Sequence, residues 1–149
     1  MTLHLRAALT SIEHSEVELV VTSSRIKGLD PNQIPVATGA DWQVYHAPRE
    51  WPAQYVLRAK AGHWQPNSQS DHVRRQWYRT GLAVAEQLRV RSLGFATGPS
   101  DPGVWPLDEW VLLAITSIRG TPTHLTEVVF CCSSPGGLEA FAAGIIRSS

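Results

Sequence analysis

Between Arg91 and Ile118 the chain reads RSLGFATGPSDPGVWPLDEWVLLAITSI, and this run constrains the fold more than any other. Ser92 to Ala96 is an apolar stretch of strand length, and GPSDPGVWP, rich in glycine and proline, cannot continue it. After Pro106 the spacing changes. Trp110, Val111, Ala114, Ile115 and Ile118 recur every three or four residues, with Asp108 and Glu109 in the first turn. The run therefore predicts a strand, a loop and a helix. Loop amides and a helix N-terminus offer unpaired N–H groups to an anion, so the loop is the first candidate for a pocket. A plain strand-to-helix connection is the competing reading.

The same logic extends in both directions. Leu3 to Leu9 and Val17 to Val21 read as strands, the second so continuously aliphatic that it suits a strand covered on both faces. It runs into Thr22, Ser23 and Ser24, three hydroxyls at the strand edge where open α/β sheets hold ligands, or where hydroxyls merely cap backbone. Arg25 to Thr38 has prolines and no helical period and reads as an irregular crossover. Trp42 to His46 and Tyr55 to Lys60 follow as strands around the turn APREWP. From Asp71 to Leu88 a helix places Val73, Trp77, Leu82, Ala85 and Leu88 on one stripe, with Arg74, Arg75 and Arg79 expected on a solvated face. Glu127 to Cys132 is the last strand. Ser134 and Pro135 then open an amphipathic helix marked by Leu138, Phe141, Ala142, Ile145 and Ile146. Alternation of this kind predicts an α/β fold with a mainly parallel sheet in one domain, residues 1–149.

Composition narrows the function. With 149 residues, 43% hydrophobic and 17% charged, the chain can bury one real core. Thirteen basic and thirteen acidic side chains cancel, so no global field recruits nucleic acid or a membrane surface. No apolar run is long enough to cross a bilayer and the N-terminus lacks a leader pattern, so a soluble, cytoplasmic protein is expected. Cys131 and Cys132 are neighbours on a strand, point to opposite faces and suit two buried hydrophobes better than a disulfide. The six histidines show no ligand spacing, and neither a metal nor a cofactor is expected. No nucleophile elbow, phosphate loop or dinucleotide fingerprint is present. Trp105, in the candidate loop, has the position to stack on a ligand.

Several segments together resemble a known family. VELVVTSSR is similar to the macro-domain strand that runs into N-A-A-N, WPAQYVLRAKAGHW to its L-P-A-K-Y-V-I-H-T-V-G-P-x-W, and RRQWYRTGLAVAEQLRVRSLGFA to its C-Y-x-x-x-L-x-L-A-x-E-x-G-x-x-S-I-A-F-P. TGPSDPGVWPLDEW resembles A-I-S-T-G-V-Y-G-Y-P-x-E-x-A, and LTEVVFCCSSPGGLEAF the closing strand and helix. The resemblance covers most of the chain. It implies a three-layer αβα sandwich that binds ADP-ribose or a related nucleotide. The ligand would lie against Ala8 and Leu9, against Thr22, Ser23, Ser24 and Arg25, and against Gly98, Pro99, Ser100, Asp101, Gly103, Val104 and Trp105.

Those are also the places where the chain departs from the pattern. AALT replaces G-D-I-T, so Ala8 offers no acceptor to an exocyclic amine. Thr22 and Arg25 replace the two asparagines of N-A-A-N, and Asp101 stands where a glycine would approach phosphate, bringing a like charge and a side chain. The leading expectation is a degenerate, non-catalytic macro-like binding module with an altered cleft. A hydrolase of ADP-ribosyl or O-acetyl-ADP-ribose linkages, with Asp101 or Asp41 positioning water, is the second. A protein-interaction module with a vestigial cleft is the third.

Overall fold

Four consecutive residues, Leu19 to Thr22, are buried on both sides, and the rest of the chain is wrapped about them. The computed structural model describes residues 3–22, 26, 28–30, 32–59, 71–97 and 107–148. In order these form β1 (His4–Leu9), β2 (Leu19–Thr22), β3 (Ala37–Thr38), β4 (Trp42–His46), β5 (Tyr55–Ala59), α1 (Asp71–Leu88), β6 (Ser92–Ala96), α2 (Leu107–Arg119), β7 (Glu127–Cys132) and α3 (Pro135–Ser148). One seven-stranded sheet runs β1-β7-β6-β2-β5-β4-β3. From β1 to β5 in that order the strands are parallel, while β4 and β3 return antiparallel. This is the mixed, mainly parallel α/β sheet that the alternating pattern predicts.

Handedness decides which face each connection covers. The path β5-α1-β6 passes across β2, and β6-α2-β7 continues in the same direction, so right-handed crossovers place α1 and α2 on one face. The path from β1 to β2 runs the other way and belongs on the opposite face. The two cores follow this division. On one face Val21, Leu57, Phe95 and Phe130 pack against Trp77, Tyr78, Leu82, Ile115 and Phe141 from the three helices. On the other, Val17, Val20, Val56, Val129 and Cys131 pack under Ile26, Ala53, Ile12, Leu29 and Trp51. Among the described residues this second layer contains no helix.

Two expectations need correction. The segment read as an irregular crossover, Arg25 to Thr38, ends in the edge strand β3, and Val36 N–H already donates to Val44 O at 2.7 Å. A two-residue strand beside a proline is too short to show a period. Arg74, expected on a solvated face, is only 2% exposed. Helical spacing puts it one turn before Trp77 and Tyr78 and two before Gly81, and its aliphatic stem joins that buried face while the guanidinium pairs with Asp71.

Local details fix the helix ends. Ser134 Oγ accepts the Gly137 N–H at 3.1 Å, with Pro135 as the first helical residue. α1 ends in a Schellman arrangement: Val90 N–H donates to Ala85 O and Arg89 N–H to Glu86 O. Arg89 sits at φ 59°, where glycine is the usual residue. In the middle of α1, Gly81 lets the helix approach β6. A Cβ there would lie 2.6 Å from Phe95 Cε1.

Urea unfolding checks both points. Gly81→Val should lower stability by about 1 to 3 kcal/mol, because Phe95 is enclosed and cannot give way. Arg89→Gly should raise it by about 1 kcal/mol by relieving the left-handed conformation.

Candidate functional site

Parallel strands all present their C-terminal ends at one edge, and the chain leaves β2 toward β5 but leaves β6 toward β7. Between β2 and β6 the connections therefore diverge and open a crevice, the usual ligand position in an open α/β sheet. Register defines its floor. Ala8 pairs with Cys131 and Cys131 with Ala96. Val21 pairs with Phe95, so Thr22 lies level with Ala96, and Thr22 pairs in turn with Arg58 and Arg58 with Gln43. One row thus crosses the sheet beneath the edge. Side chains level with one another in a sheet share a face. Cys131 and Ala8 pack in the second layer, on the side away from the three helices, so Thr22 and Arg58 point to that side as well.

The sequence-derived residues fall on this frame as follows. Thr22 ends β2 and is 2% exposed. Ala8 and Leu9 end β1, three strands away or roughly 14 Å across the sheet. Leu9 is exposed, as befits a side chain at the rim. Ser23, Ser24 and Arg25, and the segment from Gly98 to Trp105 including Pro99, Ser100, Asp101, Gly103 and Val104, lie outside the described residues. The strand ends from which those two segments depart, Thr22 of β2 and Ala96 of β6, are neighbours. Asp41, named for the hydrolase reading, is half-buried just before β4, whose first residue Trp42 pairs with Ala59, so it stands at the same edge on the β5 side.

Sequence reasoning passed over Arg58. It is half-buried between the buried Leu57 and Ala59 and is the cation of the row, with Thr22 on one side and Gln43 on the other. The signal was present: one charged residue in the otherwise apolar strand YVLRA, whose alternation turns it away from the helical core. Gln43 is held in place by the Tyr45 hydroxyl, which donates to its Oε1 at 2.6 Å.

The edge is tied together from below. Thr97 Oγ1 donates to Cys131 O at 3.0 Å and Thr10 N–H to Cys132 O at 3.2 Å, joining the ends of β6, β7 and β1. On the helical side the Tyr78 ring packs edge-on against Phe95, at 5.0 Å between centroids, and against Phe130. Burial pushes the Cys132 thiol up to about 11, with the neighbouring Cys131 adding to it, and burial raises Cys131 as well. Among the described residues no three His, Cys, Asp or Glu side chains converge as a metal site would require.

Comparison with known proteins places this geometry. No protein-family profile matches the chain. A macro domain-containing protein of Streptomyces coelicolor is 26% identical over 91 residues, 61% of this chain and 54% of the relative. One from Streptomyces nogalater is 24% identical over 90 residues, 60% of this chain and 50% of the relative. The match thus spans about half the length of these curated relatives. Among solved structures, the Trypanosoma brucei macrodomain in complex with ADP superposes with a TM-score of 0.70 at 15% identity, covering 95% of this chain and 69% of that one. The Oceanobacillus iheyensis macrodomain with ADP gives 0.67 at 12% identity, over 97% and 90%. The chain has the macro-domain fold. Its sequence is similar to those of macro domain-containing proteins over about three-fifths of its length.

The buried thiols supply a check on this edge. Native protein at about pH 8 should leave Cys131 and Cys132 unmodified by iodoacetamide, and unfolded protein should lose both. Because the folded Cys132 thiol keeps its proton where the unfolded one releases it, stability should fall as pH rises from the ordinary thiol value of 9.0 through about 11. Rapid alkylation of the native protein would contradict the enclosure of the row.

Proposed function

We propose that this chain is a binding module for a nucleotide of the ADP-ribose type, with an altered cleft and no catalytic activity of its own. The observation that carries the reading is the adjacency of Thr22 and Ala96 at the point where the connections diverge. That is where a sheet of this topology offers a ligand exposed strand ends and unpaired amides. Solved macrodomains of the same fold are described in complex with ADP and with ADP-ribose, which supports a nucleotide as the ligand class.

The alterations follow from the residues present. Ala8 has a methyl where an acceptor would read an exocyclic amine, so a purine gains no hydrogen bond from that position. Replacement of two asparagines by Thr22 and Arg25 removes amide groups that could grip a ribose. Each buried polar contact removed costs about 1 to 3 kcal/mol. Arg58 partly offsets these losses by placing a cation in the row beside Thr22, on the side away from the helices. A guanidinium there favours a phosphate over a neutral group. The resemblance sets Asp101 where a glycine would approach phosphate, and a carboxylate there would oppose a dianion, so the module would discriminate among phosphorylated ligands by charge.

Thermal denaturation with ADP-ribose, NAD, AMP and adenosine tests the reading. A ligand at about one hundred times its dissociation constant adds about 2.7 kcal/mol, or about 5 to 10 °C in a chain of this size. At least one phosphorylated nucleotide should give such a shift, and Arg58→Gln should weaken its binding about tenfold to a hundredfold while leaving adenosine unchanged. No shift with any of the four would end the proposal. Release of ADP-ribose from a modified protein, lost in Asp101→Ala, would replace it with the hydrolase.

A further inference from the structure

Past the crevice the row of side chains stays polar. From Thr22 it passes through Arg58 on β5, Gln43 on β4 and Thr38 on β3, each opposite the next. Arg58 is half-buried between apolar neighbours in its strand, where a cation is ordinarily held by an acid. No acid holds this one. Among the described residues the ion pairs are Arg6–Glu127, Arg74–Asp71 and Glu86–His124, and no hydrogen bond engages the Arg58 guanidinium.

Gln43 lies directly across from Arg58, at a Cβ separation of about 5 Å, and Tyr45 sets its orientation. The Tyr45 ring packs against the cluster of Val20 and Val56, and its hydroxyl donates to Gln43 Oε1 at 2.6 Å. That bond engages the acceptor end of the amide and, among the described residues, leaves both Nε2 hydrogens unused. Arg58 and Gln43 thus present donors only, which suits an oxyanion. A planar carboxylate is satisfied by the guanidinium fork alone, whereas a donor on the next strand needs a further oxygen outside that plane, as a tetrahedral phosphate has. We infer that Arg58 and Gln43 form a phosphate subsite over β5 and β4, with Tyr45 as the positioning residue for the amide. Its part in nucleotide binding rests on the reading of this edge as a nucleotide site, to which it adds Gln43 as a determinant of specificity.

Side-chain NMR of the folded protein tests this, with inorganic phosphate as the probe, acetate as the planar control and circular dichroism to confirm folding of each variant. Millimolar phosphate should shift the Arg58 Nε–H and both Gln43 Nε2–H signals. Tyr45→Phe keeps the ring and frees the amide to rotate, so it should weaken phosphate about tenfold and leave acetate unchanged. Gln43→Glu gives Arg58 an acid, so it should weaken phosphate further, together with any phosphorylated nucleotide that raises the melting temperature. Side-chain signals indifferent to phosphate, or a Tyr45→Phe protein that binds it as the wild type does, overturn the subsite even where a nucleotide stabilises the protein. A phosphate response at both side chains with no nucleotide stabilising the protein supports the subsite as an anion site and overturns the nucleotide reading alone.

Discussion

The architecture depends on burying β2 from both faces. Leu19, Val20 and Val21 have no exposed surface and Thr22 almost none. A strand this apolar is stable only at the middle of a sheet with chain packed above and below it. Once β2 is central, right-handed connections distribute the remaining chain: α1 and α2 on the side of Val21, and the segments flanking β2 on the side of Val20. The candidate site's edge follows from the same constraint, because the central strand is where connections leave in opposite directions. Fold and crevice have one cause.

What was legible in the sequence was whatever depended on periodicity or punctuation. The long helix from Asp71 and the closing helix after Ser134 repeat their apolar residues over several turns, and their ends carry recognisable residues. The strands around Val20 and Val129 are short but unbroken. β3 was illegible because two residues make no pattern, and its pairing depends on β4, which local sequence does not encode. Arg74 misled for a different reason. A long side chain can hide its stem in the core and still pair its charge with Asp71, so residue type was a poor guide to position. Within the candidate site, resemblance directed attention to the segments after β2 and β6. Arg58 escaped notice because its partners in the row come from β2 and β4, and that row exists only once the sheet is assembled.

The row also clarifies how a site can change its chemistry while its frame persists. Thr22, Arg58 and Gln43 are held by backbone pairing in the sheet, so exchanging one side chain leaves the others where they are. Backbone register supplies the geometry and side chains supply the preference. Ala8 brings no acceptor to one end of the edge and Arg58 brings a donor nearer the other, so polarity varies along the sheet while its order stays the same.

The two layers flanking the sheet differ in kind. The helical side interlocks large aromatic residues, Trp77, Tyr78, Phe95, Phe130 and Phe141. Among the described residues, the opposite side covers smaller residues with non-helical stretches of chain, such as those carrying Ile12, Ile26 and Trp51. A packed helix cannot be exchanged without disturbing its neighbours, whereas a single pass of chain is replaceable piece by piece. Because Thr22 and Arg58 face the replaceable side, mutation can lengthen, shorten or rewrite what lies over them at little expense to folding. On the proposed reading of the site, specificity and stability fall to separate halves of the molecule, leaving the first free to drift while the second stands still.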